Sequence, residues 1–218
     1  MYLPAHFDEK RLDVLHALVR RHPFGLLVTQ TTDGPSANGI PFILDADGAA
    51  GLGTLRGHVA RANPVWREAA TDVPSLVVFQ GPDAYVSPSW YPSKAEHGKV
   101  VPTWNYVMVQ ARGPLRAIDD PAWLLQLVTR LTERHETPRS APWAVSDAPA
   151  DYVQTMLRAI VGIELELTSL SGKWKVTQNR SAADRDGVVR GLQASGGEQA
   201  AALARQVAHP GRDAPEPA

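Results

Sequence analysis

Between residues 24 and 118 the chain is a succession of short apolar runs, several alternating with polar residues, each followed within a few positions by a turn signal. FGLLVTQT (24–31) and ANGIPFILD (37–45) flank TDGPS, whose Asp-Gly-Pro composition predicts a reversing turn. DADG (45–48) turns the chain again into AAGLGTL (49–55). LVVFQG (76–81), DAYVSP (83–88) and VVPTWNYVMVQARGPLRAI (100–118) are further strand candidates. Pro64, with good helix formers after it, predicts a short helical turn within 57–69. Short alternating strands joined by turns fit a small antiparallel barrel or sandwich.

Helices frame this core. Asp8 as N-cap, with Phe7 and Leu12 placed as a hydrophobic staple, opens an amphipathic helix over 8–21 that Pro23 ends. Residues 119–136 have Asp119 or Asp120 as cap and Pro121 at the first helical position, with Trp123, Leu124, Leu127, Val128 and Leu131 as the apolar stripe. Residues 148–160 read as another helix, and 160–170 as a half-buried strand alternating Ile163, Leu165 and Leu167 with Glu164 and Glu166. DRDGVVRGLQ and EQAAALARQV predict two short helices around ASGG. The expectation is an α+β chain with a mainly β core and peripheral helices. One domain covers 1–187, a helical extension 188–208, and a tail of disordered composition 209–218.

Composition closes off several classes of function. The 22 Lys and Arg against 23 Asp and Glu leave no basic excess for coating nucleic acid or anionic lipid. The absence of cysteine removes disulfides, thiolate metal sites and Cys nucleophiles. No apolar run approaches the ~18 residues of a membrane helix, and the charged opening residues do not read as a secretory leader. A cytoplasmic protein without membrane attachment is expected. His58, His97 and His135 lack an i, i+3 or i, i+4 partner, which argues against a metal site. Ser87, Ser89 and Ser93 have no local base, and no G-x-S-x-G, G-x-G-x-x-G or P-loop pattern occurs.

Three stretches carry possible chemistry. In GTLRGHVARANP (53–64) a strand is expected to end at Leu55, with Arg56 and Gly57 as its exit and a helix from near His58. Exposed N–H groups at that helix start, with Thr54, Arg56, His58 and Arg61, would suit a phosphate monoester. The same residues would equally serve as a solvated turn whose arginines hold carboxylates. The segment 79–107 gathers Tyr85, Trp90, Tyr91, Trp104 and Tyr106 with Lys94 and Lys99, either a platform for a flat heteroaromatic ligand or an aromatic mini-core beneath a long loop. GKWKVTQNR (172–180) sets Trp174, Lys175, Gln178 and Asn179 together, polar amides beside an indole that either read the edge of a ring or line a solvated loop.

MYLPAHF, IPF (40–42), LRGHVARANP (55–64), VVFQGPDAYVSPSWYPSK (77–94), KVVPTWNY (99–106), AIVGIE (159–164) and GKWKVTQNR together resemble the PaiB-like proteins. These are FMN-binding negative transcriptional regulators within the FMN-binding split-barrel superfamily that includes pyridoxamine-phosphate oxidases. The resemblance runs from residue 1 to about 187. It implies a six-stranded Greek-key split β-barrel and a homodimer with FMN at the subunit interface. It places the flavin phosphate near Thr54, Arg56, His58 and Arg61, and the ring along Asn38, Gly39, Ile40 and Pro41. Trp174, Lys175 and Gln178 of the partner subunit would complete the site. Trp90, Tyr91 and Lys94 are the candidates for the open, substrate side of the ring.

Two departures narrow what is implied. Gly39 stands where the family often carries His, and the basic residues that bind substrate phosphate in pyridoxamine-phosphate oxidases are not evident. Vitamin B6 oxidation is therefore disfavoured. Residues 181–208 offer only Arg185, Arg190 and Arg205 among many alanines, which argues against direct DNA binding. Three readings remain: a flavin-dependent oxidoreductase or redox sensor, a regulator acting through DNA or a partner protein, and a haem-binding or haem-degrading barrel with His58 or His97 as iron ligand.

Overall fold

A computed structural model describes residues 1–211. The first half of the chain forms β1 (Asp8–Glu9), α1 (Leu12–Arg21), β2 (Phe24–Thr31), β3 (Gly34–Pro41), β4 (Ile43–Asp45), β5 (Thr54–Ala60), α2 (Val65–Glu68), β6 (Ser75–Val86) and α3 (Ser93–His97). The second half adds β7 (Thr103–Gly113), β8 (Leu115–Ile118), α4 (Pro121–Glu136), α5 (Ala150–Arg158), β9 (Ile160–Glu166), β10 (Ser169–Lys175), α6 (Ala182–Ser195) and α7 (Glu198–Ala208). It is a mixed fold of mostly antiparallel sheets with several helices. The chain divides into two units. The first comprises Met1–Leu18, Gln80–Val109 and the residues from Ser171 on; the second comprises Val19–Phe79 and Gln110–Leu170.

The second unit holds β2 paired antiparallel with β3 along its whole length and with the start of β6. It also holds a four-stranded sheet in the order β4-β5-β9-β8. Leu27, Phe42, Leu55, Val77, Phe79, Ile163 and Leu165 are fully buried, and the Phe42 and Phe79 rings meet edge to face. Asp120 starts α4 by accepting from the Trp123 amide at 2.7 Å, with Pro121 at a position that needs no N–H. Leu127 and Leu131 of α4 then pack with Ile43, and Trp123 joins them. The Trp123 ring lies so close to Gly162 that any Cβ there would overlap it.

In the first unit the strand order is β1-β10-β7-β6. Val188, Leu192, Leu203 and Val207 on α6 and α7 are buried. The Trp90 ring lies on Gly191 of α6, and the Trp174 indole donates to Gln206 of α7 at 2.9 Å.

Several boundaries differ from the sequence reading. Asp8 is not a helix cap: it pairs with Lys173 as a strand, and the helix begins at Leu12. Residues 54–60 are one continuous strand, so no helix starts at His58, and the helical turn is only Val65–Glu68. The two strands expected over 76–88 are a single β6. GKWK, read as a loop, belongs to β10. The division expected at residue 187 falls inside α6, and residues 212–218 of the expected tail lie outside the described residues.

Candidate functional site

Thr54, Arg56 and His58 alternate along β5 and share one face at a spacing of roughly 7 Å between neighbours. Thr54 is buried and donates to the Asp47 carbonyl at 3.2 Å. Arg56 donates to Glu164 at 2.8 Å, to Asp47 at 3.2 Å and to Asp45, and Asp45 also accepts from Arg130 on α4. Burial would lower the Arg56 pKa, but the three carboxylates outweigh it and raise it further. Burial also raises the Asp45 carboxyl, and the hydrogen bonds from Arg130 and Arg56 more than reverse this, holding it below the usual carboxylate range. Arg56 is thus already matched, charge for charge, inside its own unit.

His58 faces Gly162 across the β5–β9 pair, the glycine that the Trp123 ring covers. Its Nδ1 is buried without a hydrogen-bond partner, and burial lowers its pKa. Arg61, just past the strand, is different again. It forks onto Asp119 at 2.8 and 2.5 Å and donates to the carbonyls of Arg158 and Ile160. Both members of this pair face solvent, with side chains 37% and 58% exposed. A solvent-screened pair of this kind is weak, so a better-placed anion can displace Asp119.

β3 ends its sheet, and the face it shares with β2 and β6 is turned to solvent. Phe24, Leu26 and Val28 on β2 oppose Pro41, Gly39 and Ala37 on β3, while Leu26 and Val28 also oppose Val78 and Leu76 on β6. Antiparallel partners point the same way, and Phe24 and Leu26 are 69% and 46% exposed. The Phe24 ring lies across Gly39, where a Cβ would come within 2.6 Å of it, so the glycine makes room for the ring. At the strand's side, Asn63 donates to Asn38 at 2.8 Å and caps the Val65 amide at 3.0 Å. Asn63 was not among the sequence candidates, although an Asn-Pro pair before a helical turn is the pattern of such a cap.

The C-terminal candidates are partly occupied in packing. Trp174 is buried, and Gln178 bonds the backbone of Val176 and Trp174 in its own strand exit. Lys175 donates to Thr103 and to the Trp104 carbonyl. Of the substrate-side candidates, Trp90 packs on α6, Tyr91 is buried beneath the Arg180 guanidinium, and Lys94 is exposed on α3. A groove of about 450 Å³ between α4 and α5, lined by Leu125, Thr129, Val145 and Val153, holds none of the candidates.

Residues 1–169 match the family described as "Putative FMN-binding domain". The chain belongs to this FMN-binding family. It is 32% identical over 195 residues to the Bacillus subtilis protein named protease synthase and sporulation protein PAI 2, covering 88% of this chain and 89% of that one. It is 36% identical over 241 residues to an uncharacterised protein of Emericella nidulans, covering 95% and 96%. Among solved structures it is similar to the flavocytochrome Anf3 of Azotobacter vinelandii (TM-score 0.57, 12% identity, 83% of this chain and 75% of that one). The FAD and heme binding protein of Mycobacterium smegmatis is also similar (TM-score 0.57, 18% identity, 88% and 80%). At such identities the likeness to these two concerns the fold alone. The chain is a PaiB-like flavoprotein of split-barrel type, and its cofactor is FMN. Among the described residues no helix is long and apolar enough to cross a membrane.

Proposed function

We propose that the chain is a flavin-dependent redox protein that works in the cytoplasm as a homodimer, its core a six-stranded Greek-key barrel. The observation that carries this reading is the solvent-facing apolar face of β2, β3 and β6 at the free edge of β3. An aqueous protein does not leave such a face bare without a partner for it. A flat ring fits against Pro41 and the Phe24 ring on that face; Ile40 and Asn38 lie on the opposite face of β3, Ile40 in the core and Asn38 bonded to Asn63. Arg61 is the phosphate ligand, because its present carboxylate is exposed and exchangeable, whereas Arg56 and Thr54 serve the scaffold. Trp174, Lys175 and Gln178 are engaged by neighbours in their own unit and are not retained for the flavin site.

Bound FMN supplies hydride or single-electron transfer, and the chain supplies position, a dry wall and charge balance. The test is the spectrum of the purified protein with a fluorescence titration of the apoprotein. Stoichiometric yellow flavin and submicromolar quenching by FMN support the reading, and a colourless protein that ignores FMN sinks it. A haem reading is favoured only by the buried, unpartnered Nδ1 of His58, and a Soret band would mark it.

A further inference from the structure

The first unit contains a cavity of about 200 Å³ whose lining joins cations to flat apolar surface: Lys175 and Arg180 with Phe7, Tyr91, Asn105 and Thr177. No carboxylate pairs with Lys175 among the described residues. Its ammonium is bound by the Thr103 hydroxyl and the Trp104 carbonyl and stands 6.0 Å from the Tyr106 ring centre. Burial, with Lys173 close by, lowers its pKa, so the site stabilises a positive charge poorly while empty. Arg180 lies 5.3 Å over the Tyr91 ring, which fixes the plane of its fork. At the base, the buried Asn105 amide donates to Thr177 at 2.9 Å. Thr177 itself has φ of 64°, a conformation that a β-branched residue adopts only at a cost of about 1–3 kcal/mol. The fold therefore holds a strained hydroxyl, two cations and two aromatic rings around one small space.

We infer that this cavity binds the carboxylate end of a small organic acid with a flat apolar body, as a site separate from that of the flavin. At about 200 Å³ it lies below the range that takes a whole drug-sized ligand and suits a smaller one. A carboxylate meets the Arg180 fork edge-on while the rings of Phe7 and Tyr91 cover its body. The inference goes beyond the redox reading and can be tested without it.

Benzoate and inorganic phosphate are titrated calorimetrically into the FMN-saturated protein and into the apoprotein. The expected result is benzoate binding in both forms, at least tenfold tighter than phosphate, with FMN affinity unchanged at saturating benzoate. Arg180→Gln and Lys175→Gln should each weaken benzoate by about tenfold or more, with melting temperature and circular dichroism reporting that the variants fold. Competition between benzoate and FMN, phosphate binding as tightly as benzoate, or unchanged benzoate affinity in both folded variants would overturn the inference. Benzoate binding by a protein that fails to bind FMN would leave this site standing and remove the redox reading instead.

Discussion

Arg56 and Arg61 are five residues apart and carry the same charge, yet their carboxylate partners differ in exposure, and a paired substitution separates the duties proposed for them. Arg61→Gln removes a guanidinium proposed to meet the flavin phosphate. A hydrogen bond to a charged group contributes about 1.5–3 kcal/mol, so FMN should bind roughly 10- to 150-fold more weakly. Riboflavin, lacking the phosphate, should bind as before. Arg56→Leu instead leaves Asp45 with Arg130 alone and Glu164 with only Arg116 at 3.9 Å, and the two carboxylate side chains are only 21% and 15% exposed. Breaking a buried pair costs about 3–5 kcal/mol and a surface pair about 0–1, which puts this site at about 2–4 kcal/mol. For a chain of this size that lowers the melting temperature by roughly 4–16 °C. The ratio of FMN to riboflavin affinity, from flavin fluorescence quenching, should fall for Arg61→Gln and stay fixed for Arg56→Leu. A ratio that falls with Arg56 and not with Arg61 would refute the assignment.

Asp45 gives a pH dependence. Its carboxyl is held below the ordinary value of 3.8 in the folded chain, so its contribution is complete above that value and is lost as pH falls below it. Asp45→Asn should therefore lower stability at pH 7 and flatten the acid limb of a stability–pH curve. Gly162→Ala should cost about 1–3 kcal/mol by driving the Trp123 ring off the sheet, visible as a lower melting temperature and a shifted tryptophan emission. Leu26→Glu, on the exposed apolar face, should convert the proposed dimer to monomer in light scattering. A wild-type species that already runs at the mass of one chain would remove the dimer.

What the sequence disclosed follows the range of the interactions involved. β2 was placed residue for residue because its alternation is local, and α4 because Asp120 and Pro121 announce its start. Asp8 misled because its partner Lys173 lies at the other end of the chain, and nothing local separates a two-residue strand from a helix cap. Gly57 looks locally like a strand exit but lies inside β5. It is glycine because a Cβ there would crowd the Ile40 side chain and the Pro41 carbonyl at 3.1 Å, a packing demand with no local mark. β10 was hidden by its lysines. Lys173 is nearly buried, its charge carried to the Tyr2 carbonyl and over the Tyr2 and Tyr106 rings. For the candidate site, residue types were readable and their commitments were not. Arg56 and Arg61 look alike in a string, and only the positions of Asp45, Glu164 and Asp119 tell them apart.

The pairing of β1 with β10 has a consequence for how the molecule is made. Asp8 finds its partner Lys173 only after the long stretch of chain between them has been synthesised. At translation rates of about 5–20 residues per second, the amino-terminal strand waits on the order of ten to thirty seconds after leaving the ribosome. During that interval the first unit lacks both its outer strand and the two helices that follow Ser181. Loop closure over such a span is entropically costly, which favours slow final assembly. The β1 segment is thus secured long after it emerges, and the nascent chain carries an open sheet edge until β10 arrives.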